Sequence, residues 1–260
     1  MRIAKHPSAR GIIAAEQYQA EFGSPALGQS RSVIKKASCL FCKVELEFRP
    51  KTPNRIAHFS HPVGAGFCPS KADAGAPYLD LSPRQPDSQG ANALRRSFRQ
   101  NWRYHYRFLG NANLGMIPML SVEEFIGLLD EANRRNIWAH VDLTERLLPF
   151  VMALSLDYPP WTGLVMKGKL QRQLWFRYFF THQVQAVQQI WTLAPGVAQM
   201  FRISFKAPKS QRGRPNYQDV TWVEEVNMAH DFLSGPEPQL PAFIVKRVEV
   251  WFARHPGFGR

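Results

Sequence analysis

Three cysteines and two histidines fall within thirty consecutive residues, and the 260-residue chain has no other cysteine. Cys39 and Cys42 open the cluster, His58 and His61 follow, and Cys68 closes it, in the pattern C-x2-C-x15-H-x2-H-x6-C. An odd number of cysteines gathered in one place is not a disulfide framework. Thiolate and imidazole are the ligands that zinc takes in closed, four-coordinate structural sites. Cys39 and Cys42 read as the first two ligands of a structural Zn2+ and Cys68 as the third, with His61 or His58 as the fourth. His61 is preferred, because Pro62-Val63-Gly64 after it forms a turn that can bring Cys68 round. Two other readings are weaker. A redox CxxC leaves the histidines unexplained. A catalytic zinc needs an open position and a base, and Glu45 and Glu47 are the only carboxylates in the segment.

The flanking pattern is that of short strands. Arg2–Lys5 reads as a strand, Ser8–Gly11 as a turn and Ile12–Ala15 as a second apolar piece, with Val33 and Ile34 leading into the cluster. Val44–Phe48 alternates apolar and polar, Arg49–Asn54 is a turn with two prolines, and Arg55–Phe59 returns as the partner strand carrying the histidines. A cysteine knuckle, a hairpin and a second ligand group together give the layout of a zinc ribbon, placed at residues 1–76.

These pieces, ending in Arg55-Ile56-Ala57-His58-Phe59-Ser60-His61, resemble the N-terminal zinc ribbon of competence protein CoiA-like proteins over residues 1–70. The resemblance implies a place in bacterial DNA handling, such as uptake, mobile elements or defence. It does not extend to that family's nuclease-like part. A nuclease centre of that kind needs an Asp and a Glu-x-Lys around a divalent metal, and no Glu-x-Lys occurs in this chain.

Beyond the cluster, residues 77–90 carry Pro77, Pro83 and Pro86 and read as a linker. Residues 91–260 read as a basic helical domain with C-terminal strands. A helix is expected over Ala91–Leu109, where Leu94, Phe98, Trp102, Tyr106 and Leu109 form an apolar stripe. Ser121-Val122-Glu123-Glu124 and Asp142-Leu143-Thr144-Glu145 read as two capping boxes that open helices. Lys169–Leu193 has no Gly or Pro and reads as the longest helix. Phe201–Lys206 and Val220–Val223 read as a hairpin with a basic tip, and Phe243–Phe252, β-branched and aromatic, as a third strand. The fold class expected is α+β: a small zinc ribbon, then a mainly helical body with a C-terminal antiparallel hairpin or sheet.

Charge narrows the function. The net charge is +13, and it is segregated. No Asp or Glu occurs from Tyr158 to Gln218 or from Ser88 to Val122, and both spans are rich in Lys and Arg. Such an excess is the footprint of a polyanionic partner. The expected contacts are Arg95, Arg96, Arg99, Arg103 and Arg107 on the first long helix, Tyr104 as a stacking side chain, and Lys206, Lys209, Arg212 and Arg214 at the hairpin tip. A zinc-containing, non-catalytic DNA- or RNA-binding subunit, working with other protein subunits, is the leading expectation. The alternatives are a metal-dependent nuclease using Asp142, Glu145, Asp219 or Glu224, and an adaptor for an acidic protein. With no signal peptide and no apolar run of membrane-spanning length, a cytoplasmic site and no membrane partner are expected.

Overall fold

Short antiparallel pairing begins the chain: β1 (Ile3–Lys5) runs against β2 (Ile12–Ala14), with Ala4 opposite Ile13. The computed structural model describes residues 1–23, 35–40, 42–65, 68, 79–110, 116–160, 172–181, 183–206 and 219–259. It divides into two compact units, one covering Met1–Asp73 and one built mainly from Ala74 onward. The architecture is mixed α+β.

In the first unit β2 leads directly into α1 (Ala15–Phe22), a helix that the sequence does not announce. Only Ala15 and Tyr18 are buried on it, so its sequence carries almost no apolar period. Tyr18 anchors it, packing on Phe48 and Phe59 at ring-centroid distances of 4.9 and 5.2 Å and donating to the Lys35 carbonyl at 2.9 Å. Phe48 and Phe59 are themselves opposite one another in β3 (Glu47–Arg49) and β4 (His58–Ser60), the expected hairpin in a shorter form. Ser38 bridges Lys5 on one side and Glu45 on the other, which ties the cysteine segment to β1.

The second unit is built around α2 (Ser88–Gly110). Leu94, Phe98, Trp102, Tyr106 and Leu109 are all buried, so the stripe read from the sequence is core. The helix starts three residues earlier than expected because Asp87 caps it, accepting from Gly90 N at 2.9 Å. The stretch read as a linker contributes Leu79 and Leu81 to the core, and the Leu81 carbonyl bonds His140 Nε2 at 2.8 Å.

The capping box at Ser121 forms as expected. Glu124 N donates to Ser121 Oγ at 3.1 Å and Ser121 N donates to Glu124 Oε2 at 3.0 Å, opening α3 (Val122–Arg134). Ser121→Ala is expected to cost about 1 kcal/mol in urea unfolding. No change would mean that the cap contributes nothing.

The second capping box does not form. Asp142 is left-handed at φ 59°, and Thr144 precedes a single 3-10 turn, Glu145–Leu147, with no side-chain cap. Glu145 turns instead toward α2. There its carboxylate accepts from Ser97 Oγ, from Asn101 Nδ2 at 3.2 Å and from His105 Nε2 at 3.0 Å. Burial opposes its ionisation, but the bonds from His105 and Ser97 prevail and hold it below the usual carboxylate range. Pro149 sits in the first turn of α4 (Leu148–Ala153), where its missing N–H has no consequence.

Two expectations at the C-terminal end are reversed. Lys169–Leu193 is not one helix. Its described part holds β5 (Trp175–Phe180) and the short α5 (Gln189–Thr192). The run Trp-Phe-Arg-Tyr-Phe-Phe is buried along most of its length, as a strand covered on both faces requires. Phe243–Phe252 is not a strand but lies in α6 (Ala242–Ala253). Its buried residues, Ile244, Val248, Trp251 and Phe252, follow helical spacing, and that period outweighs β-branched composition. The sheet is antiparallel in the order β5-β6-β7, with β6 (Met200–Phe205) and β7 (Val220–Val226) pairing as the hairpin reading required.

Candidate metal centre and basic surface

The cysteine knuckle is shaped by its own backbone. Cys39 N donates to the Val44 carbonyl at 2.8 Å and Lys43 N to the Cys39 carbonyl at 3.1 Å, turning the chain so that Cys39 and Cys42 face the same way. Lys43 takes a left-handed conformation at φ 61°, a position that favours glycine. On the other side, β4 ends at Ser60 and delivers His61, and Ala65 N closes a turn on the Pro62 carbonyl at 3.2 Å ahead of Cys68.

Ligand atoms of Cys39, Cys42, His61 and Cys68 all lie within 4.8 Å of one another. Cys39 Sγ and Cys68 Sγ are 3.7 Å apart, and Cys42 Sγ is 3.3 Å from His61 Nε2. Four ligands on a tetrahedral metal with metal–sulfur bonds of about 2.3 Å have sulfur–sulfur edges of about 3.8 Å. A disulfide needs about 2.0 Å, and the three buried cysteines form no disulfide. Three sulfurs and one imidazole nitrogen therefore fit a metal ion.

Electrostatics favour the same conclusion. The Cys39 thiol is driven far above its usual pKa, first by its bonds with Cys42 and Cys68 and then by burial. The same two cysteines push His61 up to about 9. Thiols this close cannot all ionise unaided, and a divalent cation supplies the missing positive charge. His58 is not in the group. It sits at the start of β4, with its Nδ1 2.9 Å from the Ile56 carbonyl.

The arginine stripe of α2 is largely engaged within the chain. Arg95 bonds Asn136 Oδ1 at 3.2 Å. Arg99 donates to the Gly259 carbonyl and lies over the Phe252 ring at 5.1 Å. Arg103 pairs with Glu237 at 2.9 Å. Tyr104, read as a stacking side chain, is half-buried and donates to the Gly235 carbonyl at 2.9 Å. Arg96 and Arg107 are exposed and have no ion-pair partner among the described residues, and Lys206 is exposed at the end of β6. Lys209, Arg212 and Arg214 lie outside the described residues.

Part of the carboxylate-free span is also internal. Arg172 is buried against Glu124, Arg177 pairs with Asp157 at 3.1 Å, and Arg202 pairs with Glu224. The apparent surface charge of that span is smaller than its composition implies. The carboxylates weighed for a nuclease are dispersed: Glu145 is held by α2 and Glu224 by Arg202. Among the described residues the cysteine–histidine set is the one group able to hold a metal.

The network of Ser97, Asn101 and His105 on Glu145 escaped the sequence reading. Its signal was polar residues four apart on α2, beside the apolar stripe. His105 is fully buried, and burial lowers its pKa despite the Glu145 contact. No helix among the described residues is long and apolar enough to cross a membrane. Comparison with known protein families, curated proteins and solved structures finds no match for the chain.

Proposed function

We propose that the chain is a zinc-containing, non-catalytic nucleic-acid-binding subunit of a bacterial DNA- or RNA-handling complex. Mobile elements, defence or DNA uptake are its setting, and the cytoplasm its compartment. The observation that carries the binding is a net charge of +13 concentrated in acid-free spans, with Arg96, Arg107 and Lys206 left exposed after the internal pairs are subtracted. The resemblance of residues 1–70 to the CoiA-like zinc ribbon supports the DNA-handling setting. Zinc is the metal favoured by a closed set of three cysteines and one histidine. Its role is structural, because all four ligand positions are filled by protein.

Phosphate contacts release counterions, so affinity for DNA or RNA should fall with salt, by a log–log slope of about −0.9 per duplex phosphate neutralised. Fluorescence anisotropy over a salt series reads this directly. Replacing Arg212 and Arg214 with Ala together should weaken binding and flatten the slope by about two units. Binding insensitive to salt, or no binding, would rule the reading out.

A further inference from the structure

Resting on the nucleic-acid reading above, we infer that a cleft at the C-terminal end of α2 seats one unpaired nucleotide, with Arg107 on its phosphate and Asp231 on the amino edge of its base. The cleft is about 380 Å³ and is lined by residues of α2 and of the loop after β7. This lies at the small end of ligand pockets, which span roughly 300–1,000 Å³. It suits a single nucleotide rather than a folded partner.

Its lining combines the groups such a ligand needs. Arg107 is an exposed guanidinium with no ion-pair partner among the described residues, whereas Arg95, Arg99 and Arg103 on the same helix are all engaged. Tyr104 is fixed in place by its bond to the Gly235 carbonyl, so its ring is a preset wall. Beneath it Phe108 and Phe232 are buried, stacked on each other at 4.5 Å and 17°, and Phe108 also stacks on His230 at 5.6 Å and 24°, so they brace the cleft rather than offer a stacking face. A flat ring held in place, as Tyr104 is, is what an unpaired base stacks on, and stacking is largely indifferent to sequence.

The polar groups add selectivity. Ser234 lines the cleft with a hydroxyl that donates to the Asp231 carbonyl at 2.8 Å and can still accept a bond. Asp231 would repel a phosphate, but a carboxylate accepts from the amino group of cytosine and finds no such donor at the corresponding position of thymine. Arg146, 3.8 Å from Asp231, offsets its charge. The cleft therefore takes a base with an amino edge inward and leaves the phosphate at Arg107.

The test uses the full-length protein and twelve-nucleotide oligo(dC) and oligo(dT), with wild type, Arg107→Gln, Asp231→Asn and Lys246→Gln compared. Lys246 is exposed on α6, so its variant controls for loss of one charge. Wild type should prefer oligo(dC). Arg107→Gln should weaken binding of oligo(dC) about tenfold, the loss of one charge-assisted contact, and by more than Lys246→Gln does. Asp231→Asn should erase the preference. If the oligonucleotides bind but Arg107→Gln matches Lys246→Gln, or wild type shows no preference, the cleft assignment falls while the nucleic-acid reading stands. If neither DNA nor RNA binds, single-stranded or duplex, both fall together.

Discussion

Removing the metal should unfold the first unit and leave the core of the second intact. The elements around the knuckle are small: β1, β2, β3 and β4 are three residues each. Isolated two-stranded hairpins of this kind are marginal in water. Tyr18, Phe48 and Phe59 form one small aromatic cluster, whereas the second unit has a large core of its own running from Leu79 to Phe258. In zinc-finger peptides the apparent binding free energy is about 10–16 kcal/mol and is in effect the folding energy. Elemental analysis should give one zinc per chain. On chelation, hydrogen exchange should show lost protection at the amides of Lys5, Cys39 and Leu46, with α2 and α3 still protected. Cys39→Ser, Cys68→Ser and His61→Ala should each lose the metal, while His58→Ala should keep it. Retention by His61→Ala with loss by His58→Ala would reverse the ligand assignment. Absence of bound metal would remove the centre altogether.

The elements that the sequence announces clearly are those whose signal is local. The α2 stripe, the Ser121 cap and the β6–β7 hairpin all depend on residues close to one another along the chain. The metal set is legible for the same reason, since ligand chemistry and spacing sit inside thirty residues. Misreadings arise where two local signals compete. Phe243–Phe252 is strand-like in composition and helical in period, and burial of Ile244, Val248, Trp251 and Phe252 on one side decides for the helix. Trp175–Phe180 lies in a stretch free of Gly and Pro, yet its aromatic run, interrupted only by Arg177, needs cover on both faces, which a strand gives. Charge is the hardest case. Whether an arginine faces solvent or a carboxylate 48 residues away is set by tertiary contacts that no window of sequence contains.

Arg172 is such an arginine, and its replacement by Ala should be among the most damaging single changes to the second unit. Its side chain is 1% exposed. Its guanidinium donates to both oxygens of Glu124, to the Pro159 carbonyl at 2.7 Å and to the Pro118 carbonyl at 3.2 Å. Glu124 is also the reciprocal member of the Ser121 capping box, so one carboxylate joins the start of α3 to the segment before β5. Truncating Arg172 leaves that carboxylate facing a void with two carbonyls unpaired. Breaking a buried pair from one side costs about 3–5 kcal/mol, several times the loss expected for Ser121→Ala. Replacing both partners, as Arg172→Met with Glu124→Gln, removes the stranded charge and should recover much of the stability. Urea denaturation of the three variants measures the difference. A loss below about 1 kcal/mol for Arg172→Ala would place the guanidinium in water, where ion pairs are worth that little. The same buried geometry predicts that Arg172→Met/Glu124→Gln leaves the salt dependence of nucleic-acid binding unchanged. A cation already neutralised inside the fold releases no counterion from a phosphate.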